Sequence, residues 1–317
     1  MRFNRRDRRV ELDQEAEQNV ILIDQAEHFL EPMDVAEARR RGANSSVFRA
    51  VDPEGQRTYV VKFCRFPLDT KRPRERQRIR RFSREVDALR LARDSEFSDC
   101  VVRIVDDGAL RMPALLPFRG GRKETDTLRY YVMDEADSDL TDFLMDNELT
   151  FPQQVFLCNE LIRILRGLHA IGIYHRDVKA DNILMDGDRP LFGDLGLVNF
   201  RQEDQGIDQP NELIGPVGLL SPEATNKFLG LRDKASFTFD CVIDEKSDIF
   251  QLGQVFWLVL QSEVPTGHLT QVDVKFPRAG VLDTVIHPML QYGKERRASL
   301  EEVKQALEPV LREAAIA

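Results

Sequence analysis

Apolar and polar positions along the 317-residue chain change rhythm near residue 136. Before that point, short β-branched and aromatic runs alternate with turn formers. Val47–Val51 and Thr58–Phe63, joined through Asp52-Pro53-Glu54-Gly55, predict a β-hairpin. Ile79, Phe82, Val86 and Leu89 then recur at helical spacing, which predicts an amphipathic helix within Lys71–Asp94. Strand-like segments follow around Val101–Val105 and Tyr130–Met133, separated by the basic loop Arg119–Lys123. Beyond residue 136 the pattern is helical: Leu140–Leu144, then Gln153–Ile171 with Val155, Cys158, Ile162, Leu165 and Leu168 on one face, then roughly Asp248–Gln261. Residues 1–40 alternate charged and apolar positions with no glycine and only Pro32, and they read as an extension leading into the first strand. No repeat or low-complexity linker interrupts the chain. The expected architecture is α+β in two lobes joined by a short hinge, with an extension at 1–34, a strand-rich lobe at 35–135 and a helical lobe at 136–317.

A hydrophobic content of 42% can build a substantial core. The 45 Lys/Arg against 54 Asp/Glu, net −9, argue against a general nucleic-acid binder. Charge is divided unevenly. Residues 1–135 carry 28 basic and 25 acidic side chains, leaving 17 and 29 for the remainder. The four cysteines, Cys64, Cys100, Cys158 and Cys241, are widely spaced without metal-ligand patterns, as expected of free thiols in a reducing cytoplasm. The arginine-rich start runs into acidic sequence, so no signal peptide is expected. The longest apolar stretch, Phe250–Leu260, is broken by Gln251 and Gln254 and is too short to span a bilayer, so no membrane attachment is expected.

The chemistry concentrates in His175-Arg176-Asp177-Val178-Lys179-Ala180-Asp181-Asn182, followed twelve residues after Asn182 by Asp194-Leu195-Gly196. A loop Asp can accept a hydroxyl proton, a Lys two residues on can steady a migrating phosphate, and an Asn with a second Asp can hold Mg²⁺. With the strand-rich, basic first lobe and the helical second lobe, this set resembles the eukaryotic-type protein kinase family over about residues 35–310. The resemblance implies a bilobal fold with a small, mainly antiparallel β N-lobe carrying one key helix, and ATP and Mg²⁺ as cofactors.

Residue by residue, the resemblance aligns Arg40, Gly42 and Ser45 with the three glycines of a phosphate-covering loop, and Val47 with the valine that closes it. Lys62, inside Val-Val-Lys-Phe, needs a charged partner. Glu85 is the expected one, because it shares a helix face with Phe82 and Leu89, whereas the rival Glu75 stands in a run of arginines. Met133, Glu135 and Ala136 resemble the hinge whose backbone meets adenine, and Asp139 the residue at the ribose. Asp177 would deprotonate the acceptor, Lys179 would stabilise the γ-phosphate, and Asn182 and Asp194 would hold metal. His175 reads as a packing residue, and Arg176 as the cation that balances a phosphorylated activation segment. Ser221-Pro222-Glu223 would end that segment, with Arg297 as the ion-pair partner of Glu223 and Asp248 bracing the catalytic-loop backbone.

Three departures modify the expectation. No Ser, Thr or Tyr lies between Asp194 and Ser221, so Glu203, Asp204, Asp208 or Glu212 would have to supply fixed negative charge to Arg176. Pro216 replaces the threonine usual in the substrate-docking loop, which weakens the assignment of acceptor. Thr225–Glu245 is longer than a minimal kinase needs, and together with the basic helix at 71–84 it is the expected place for a regulatory partner. The sequence thus predicts a cytoplasmic Ser/Thr protein kinase acting on protein substrates, with Ser45 and Ser46 as autophosphorylation candidates. The alternatives are a pseudokinase that binds nucleotide, and a small-molecule kinase.

Overall fold

The computed structural model describes residues 1–33, 45–115, 125–202, 206–231 and 238–314. Gly42, Arg40, the 119–123 loop, Glu203 and Asp204 lie outside these ranges. The chain divides into two compact units, one of residues 1–93 with 102–135, the other of residues 94–101 with 136–317.

The first unit is built on an eight-stranded sheet. Its strands are β1 (Arg2–Asn4), β2 (Arg9–Glu11), β3 (Val20–Ile23), β4 (Ala26–Pro32), β5 (Ser45–Val51), β6 (Thr58–Cys64), β7 (Ile104–Leu115) and β8 (Thr125–Asp134), in the order β2-β1-β7-β8-β6-β5-β4-β3. The predicted hairpin is β5–β6, with Val47 opposite Lys62. The helix expected from the 3.6-residue pattern is α1 (Pro73–Arg93). Pro73 opens it, a position where the missing N–H costs nothing.

Residues 1–32 differ from the expected extension, since they form four strands of the sheet itself. β4 continues the sheet beyond β5, and β1 joins the opposite side by pairing in parallel with β7. Their apolar alternates, Phe3, Val10, Ile21, Ile23 and Leu30, share one buried cluster with Phe48, Val61, Phe63, Leu128 and Val132. One or two buried apolar residues per strand are too weak a signal in sequence, and burial of that alternate set explains why the segment folds. Because side chains alternate, Val61 and Phe63 face this cluster while Lys62 points to the opposite face.

The second unit is mainly helical: α2 (Leu140–Asp146), α3 (Phe151–Ala170), α4 (Pro222–Leu229), α5 (Glu245–Gln261) and α6 (Leu300–Ala314). Short strands β9 (Ser138–Asp139), β10 (Ile173–Tyr174), β11 (Ile183–Asp186), β12 (Arg189–Phe192) and β13 (Asn199–Phe200) frame the loop at 175–182. Thr150 and Gln153 form a capping box at the start of α3, and the apolar face predicted for this helix is buried. All four cysteines are free. No described helix is long and apolar enough to cross a membrane.

Candidate active site

In the first unit, Lys62 sits on an interior strand with Val47 on one side and Tyr131 on the other. A buried ammonium needs an anion, and Nζ donates to Glu85 Oε1 at 2.8 Å. The Tyr131 hydroxyl donates to the same oxygen at 3.0 Å, so the Glu85 carboxylate is fixed from two sides. Glu75 has separate partners, Arg8 and Arg72. Met133 is buried on β8, and Arg49 reaches Glu135, with Nε donating at 2.7 Å. Ala136 follows, at the start of the second unit's main segment. Asp139 accepts from Asp142 N at 2.9 Å and caps α2.

Ser45 and Ser46 are both buried in β5, and Ser46 Oγ accepts from Val10 N at 3.2 Å. Their burial counts against the expectation that they accept phosphate. A buried hydroxyl in a paired strand is not presented to any donor.

In the second unit the loop at 175–182 hangs from α5. Asp248, fully buried, accepts from His175 N at 2.8 Å, Arg176 N at 2.6 Å and the His169 ring at 2.9 Å. One turn on, Gln251 accepts from Val178 N at 2.8 Å and donates to Arg176 O at 3.2 Å. These bonds hold Arg176 at a φ of 67°, a left-handed conformation a non-glycine residue rarely adopts. Gln251 was legible in sequence only as a polar break in an apolar run; its spacing of three from Asp248 is the signal that puts both on one helix face. Gly215 approaches the same backbone at a φ of 122°, where a Cβ would lie 3.1 Å from Gln251 Nε2. Only glycine fits there.

Asn182 Nδ2 donates to Asp177 O at 2.9 Å and to Asp177 Oδ2 at 2.8 Å. The other oxygen, Oδ1, is buried with no hydrogen-bond partner among the described residues. Burial pushes the Asp177 carboxyl up to about 6, with Lys179 and Asn182 acting against the rise. Lys179 Nζ lies 3.9 Å from Asp181. His175, buried against Phe192 with ring centroids 4.5 Å apart, is pushed down to about 4 by burial and is neutral at pH 7. It packs rather than titrates.

Asp194 Oδ1 accepts from Gly196 N at 2.9 Å. Asn182 uses its amide hydrogens on Asp177, which turns its carbonyl oxygen away. Among the described residues no cluster of three His, Cys, Asp or Glu side chains could form a metal cage. An Asn–Asp pair of oxygen donors suits Mg²⁺, which binds through one or two carboxylates and completes its shell with phosphates and water.

The acid that meets Arg176 is Asp208. The guanidinium grips it with two bonds, Nη1 to Oδ2 at 2.6 Å and Nη2 to Oδ1 at 3.1 Å, while Nε donates to Leu197 O at 2.6 Å. Lys227 Nζ adds a third donor at 3.1 Å. Burial pushes the Asp208 carboxyl up, but Arg176 and Lys227 outweigh it and hold the group well below the usual carboxylate range. Glu212 is instead bonded to Gln209 N at 2.9 Å.

Glu223 and Arg297 form a buried pair, Nη1 to Oε1 at 2.8 Å and Nη2 to Oε2 at 3.2 Å, and Ser247 Oγ donates to Oε1 at 2.6 Å. Burial raises the Glu223 carboxyl, and the bonds to Arg297 and Ser247 overcome this and lower it below its usual range. The group therefore contributes stability that is fully present above the unfolded value and lost as pH falls through the folded one. The stability gap between the wild type and Glu223→Gln is expected to shrink as pH falls below the ordinary glutamate value of 4.5, in melts carried into acid. A gap constant down to the acid end would show that Glu223 carries no such linkage.

Residues 40–307 match the protein kinase domain family, and the chain belongs to that family. Its relatives include a Serine/threonine-protein kinase cds1 from Schizosaccharomyces pombe, 28% identical over 200 residues that cover 57% of this chain and 42% of that protein. A Serine/threonine-protein kinase ste20 from Emericella nidulans is 26% identical over 182 residues, 52% of this chain and 19% of the relative. A RAF proto-oncogene serine/threonine-protein kinase from Xenopus laevis is 26% identical over 131 residues, 41% and 19%. The chain spans less than half the length of these curated relatives.

Proposed function

We propose that the chain is an ATP- and Mg²⁺-dependent protein kinase that transfers the γ-phosphate to Ser or Thr hydroxyls of protein substrates. The observation that supports this best is the Asp177 carboxylate, fixed through one oxygen by Asn182 and carrying its other oxygen with no hydrogen-bond partner among the described residues. A substrate hydroxyl bonded to that oxygen would be oriented and lose its proton to Asp177 as the new O–P bond forms and the bond to the β-phosphate oxygen breaks. Lys62, held by Glu85, would contact the α- and β-phosphates. Lys179 would neutralise charge on the transferring group, and Asn182 and Asp194 would hold the metal. Mg²⁺, when bound, supplies neutralisation of the phosphate oxygens. Val47, Met133, Glu135, Ala136 and Asp139 are assigned to the nucleoside end, and a cytoplasmic setting accords with four free thiols. γ-Labelled ATP, Mg²⁺ and a protein mixture, with small metabolites in parallel, test the proposal. Label in protein supports it, label in a metabolite replaces the substrate class, and nucleotide binding without transfer favours a pseudokinase.

Asp208 gives Arg176 a fixed negative partner that needs no phosphorylation. Asp208→Asn is expected to lower transfer about tenfold, since a charge-assisted bond to Arg176 is worth roughly 1.5–3 kcal/mol. Phosphatase treatment of the wild type should leave its rate unchanged. Protein made in a kinase-free host that stays inert until another kinase treats it would sink the idea.

A further inference from the structure

The N-terminal hairpin that precedes the family match at residue 40 brings one arginine to the helix that carries Glu85 and to the chain just beyond the strand that carries Lys62. The hairpin β1–β2 is anchored by Arg5, whose Nε and Nη2 donate to the buried Asp126 carboxylate on β8 at 2.7 and 2.8 Å. Val10 N, at the far side of the turn, donates to Ser46 Oγ on β5. Between these anchors Arg8 stands at a φ of 50°. Its Nη2 lies 3.0 Å from Glu75 Oε1, in the first turn of α1, and its guanidinium carbon lies 5.6 Å from the centroid of Phe66, two residues beyond the end of β6. One guanidinium therefore touches both the chain leaving the Lys62 strand and the start of the Glu85 helix. Glu75 is only 11% exposed in its side chain and is shared with Arg72 and the Thr70 hydroxyl, so the connector at 65–72 is gathered into the same contact.

We propose that Arg8 is a positioning residue: the tip of the N-terminal hairpin clips the start of α1 to the end of β6 and so holds Glu85 within reach of Lys62. Its bearing on catalysis rests on the assignment of Lys62 to the phosphates, but the clip itself does not. From Glu75 to Glu85 the helix runs about 15 Å as a rigid rod, so tilting its first turn displaces the carboxylate that the ammonium needs. Arg8 is about half exposed and its ion pair is partly screened, which makes the clip worth a few-fold in the docked population rather than the fold of the unit.

The test uses the full chain carrying Arg8→Ala, Arg8→Lys or Arg9→Ala, the last removing an equal charge from the same hairpin. Amide hydrogen exchange of α1 and the rate at which an amine-directed acylating reagent modifies Lys62 are measured without nucleotide. Arg8→Ala should lower protection across α1 and raise Lys62 acylation, each about threefold to fivefold. Arg8→Lys should recover part of both, and Arg9→Ala should match the wild type. Unchanged exchange and acylation in Arg8→Ala would overturn the proposal, as would equal changes in Arg9→Ala. Both readouts stand whether or not the chain transfers phosphate. If it does, a raised KM for ATP in Arg8→Ala with kcat little altered is the expected kinetic counterpart, and equal kinetics would sever the clip from catalysis.

Discussion

Arg297→Ala is expected to destabilise the second unit by about 3–5 kcal/mol, the cost of stranding one member of a buried ion pair. The side chain is 0% exposed, and besides Glu223 it donates to Lys246 O at 2.6 Å and Gln291 O at 3.0 Å and lies 5.0 Å from the Phe250 ring centroid. Truncation would leave the Glu223 carboxylate buried with only Ser247 as a side-chain donor, remove a donor from two backbone carbonyls, and open a cavity beside Phe250. A fall of roughly 10 °C in Tm is expected by calorimetry. The paired change Arg297→Met with Glu223→Leu should recover much of the loss, because no isolated charge remains. A single variant melting within about 2 °C of the wild type would mean that water reaches the pair and the burial is not effective.

The second large effect is on turnover. Asp177→Ala is expected to reduce label transfer by a factor on the order of 10²–10⁴ while leaving nucleotide affinity near that of the wild type. The change removes the proton acceptor and also frees the Asn182 amide, which loses its 2.8 Å side-chain partner. Asp177→Asn separates the two, since it keeps the shape but not the base, and should be nearly as inactive. Burial pushes this carboxyl up to about 6, so transfer by the wild type should rise with pH through that region and level off above it. Retention of more than about a tenth of the rate in Asp177→Ala would remove the base from the mechanism.

Much of this site was legible because its chemistry is compressed into short ordered runs. Asp177, Asn182 and Asp194 could be named from an eight-residue loop and a triplet. The link from Lys62 to Glu85 followed from helix periodicity, which put Glu85 on the apolar face with Phe82, now packed 5.4 Å from Tyr131. The choice of Asp208 among four acids was not available. It depends on contacts of Asp208 with Arg176, 32 residues away in sequence, and Lys227, 19 away, which local pattern does not carry. Asp248 could be named through the resemblance, whereas the role of Gln251 could not, since it bonds a backbone about seventy residues away in sequence. The N-terminal strands were not legible for a different reason: three of the four are runs of only three or four residues, too few alternations to separate a strand from a solvated tail.

Those strands bear on where the chain can be cut. The family match begins at residue 40, and a chain started there would lose β4 from β5 and β1 from β7. The bared stretches, four residues of β5 and two at the end of β7, would offer open N–H and C=O groups, and Phe48, Val61 and Phe63 would lose the apolar cover that Ile21, Ile23 and Leu30 provide. Unpaired edges beside uncovered aromatic surface template the stacking of one chain on the next. The segment that a homology boundary would discard is thus the one that keeps the remainder from self-association.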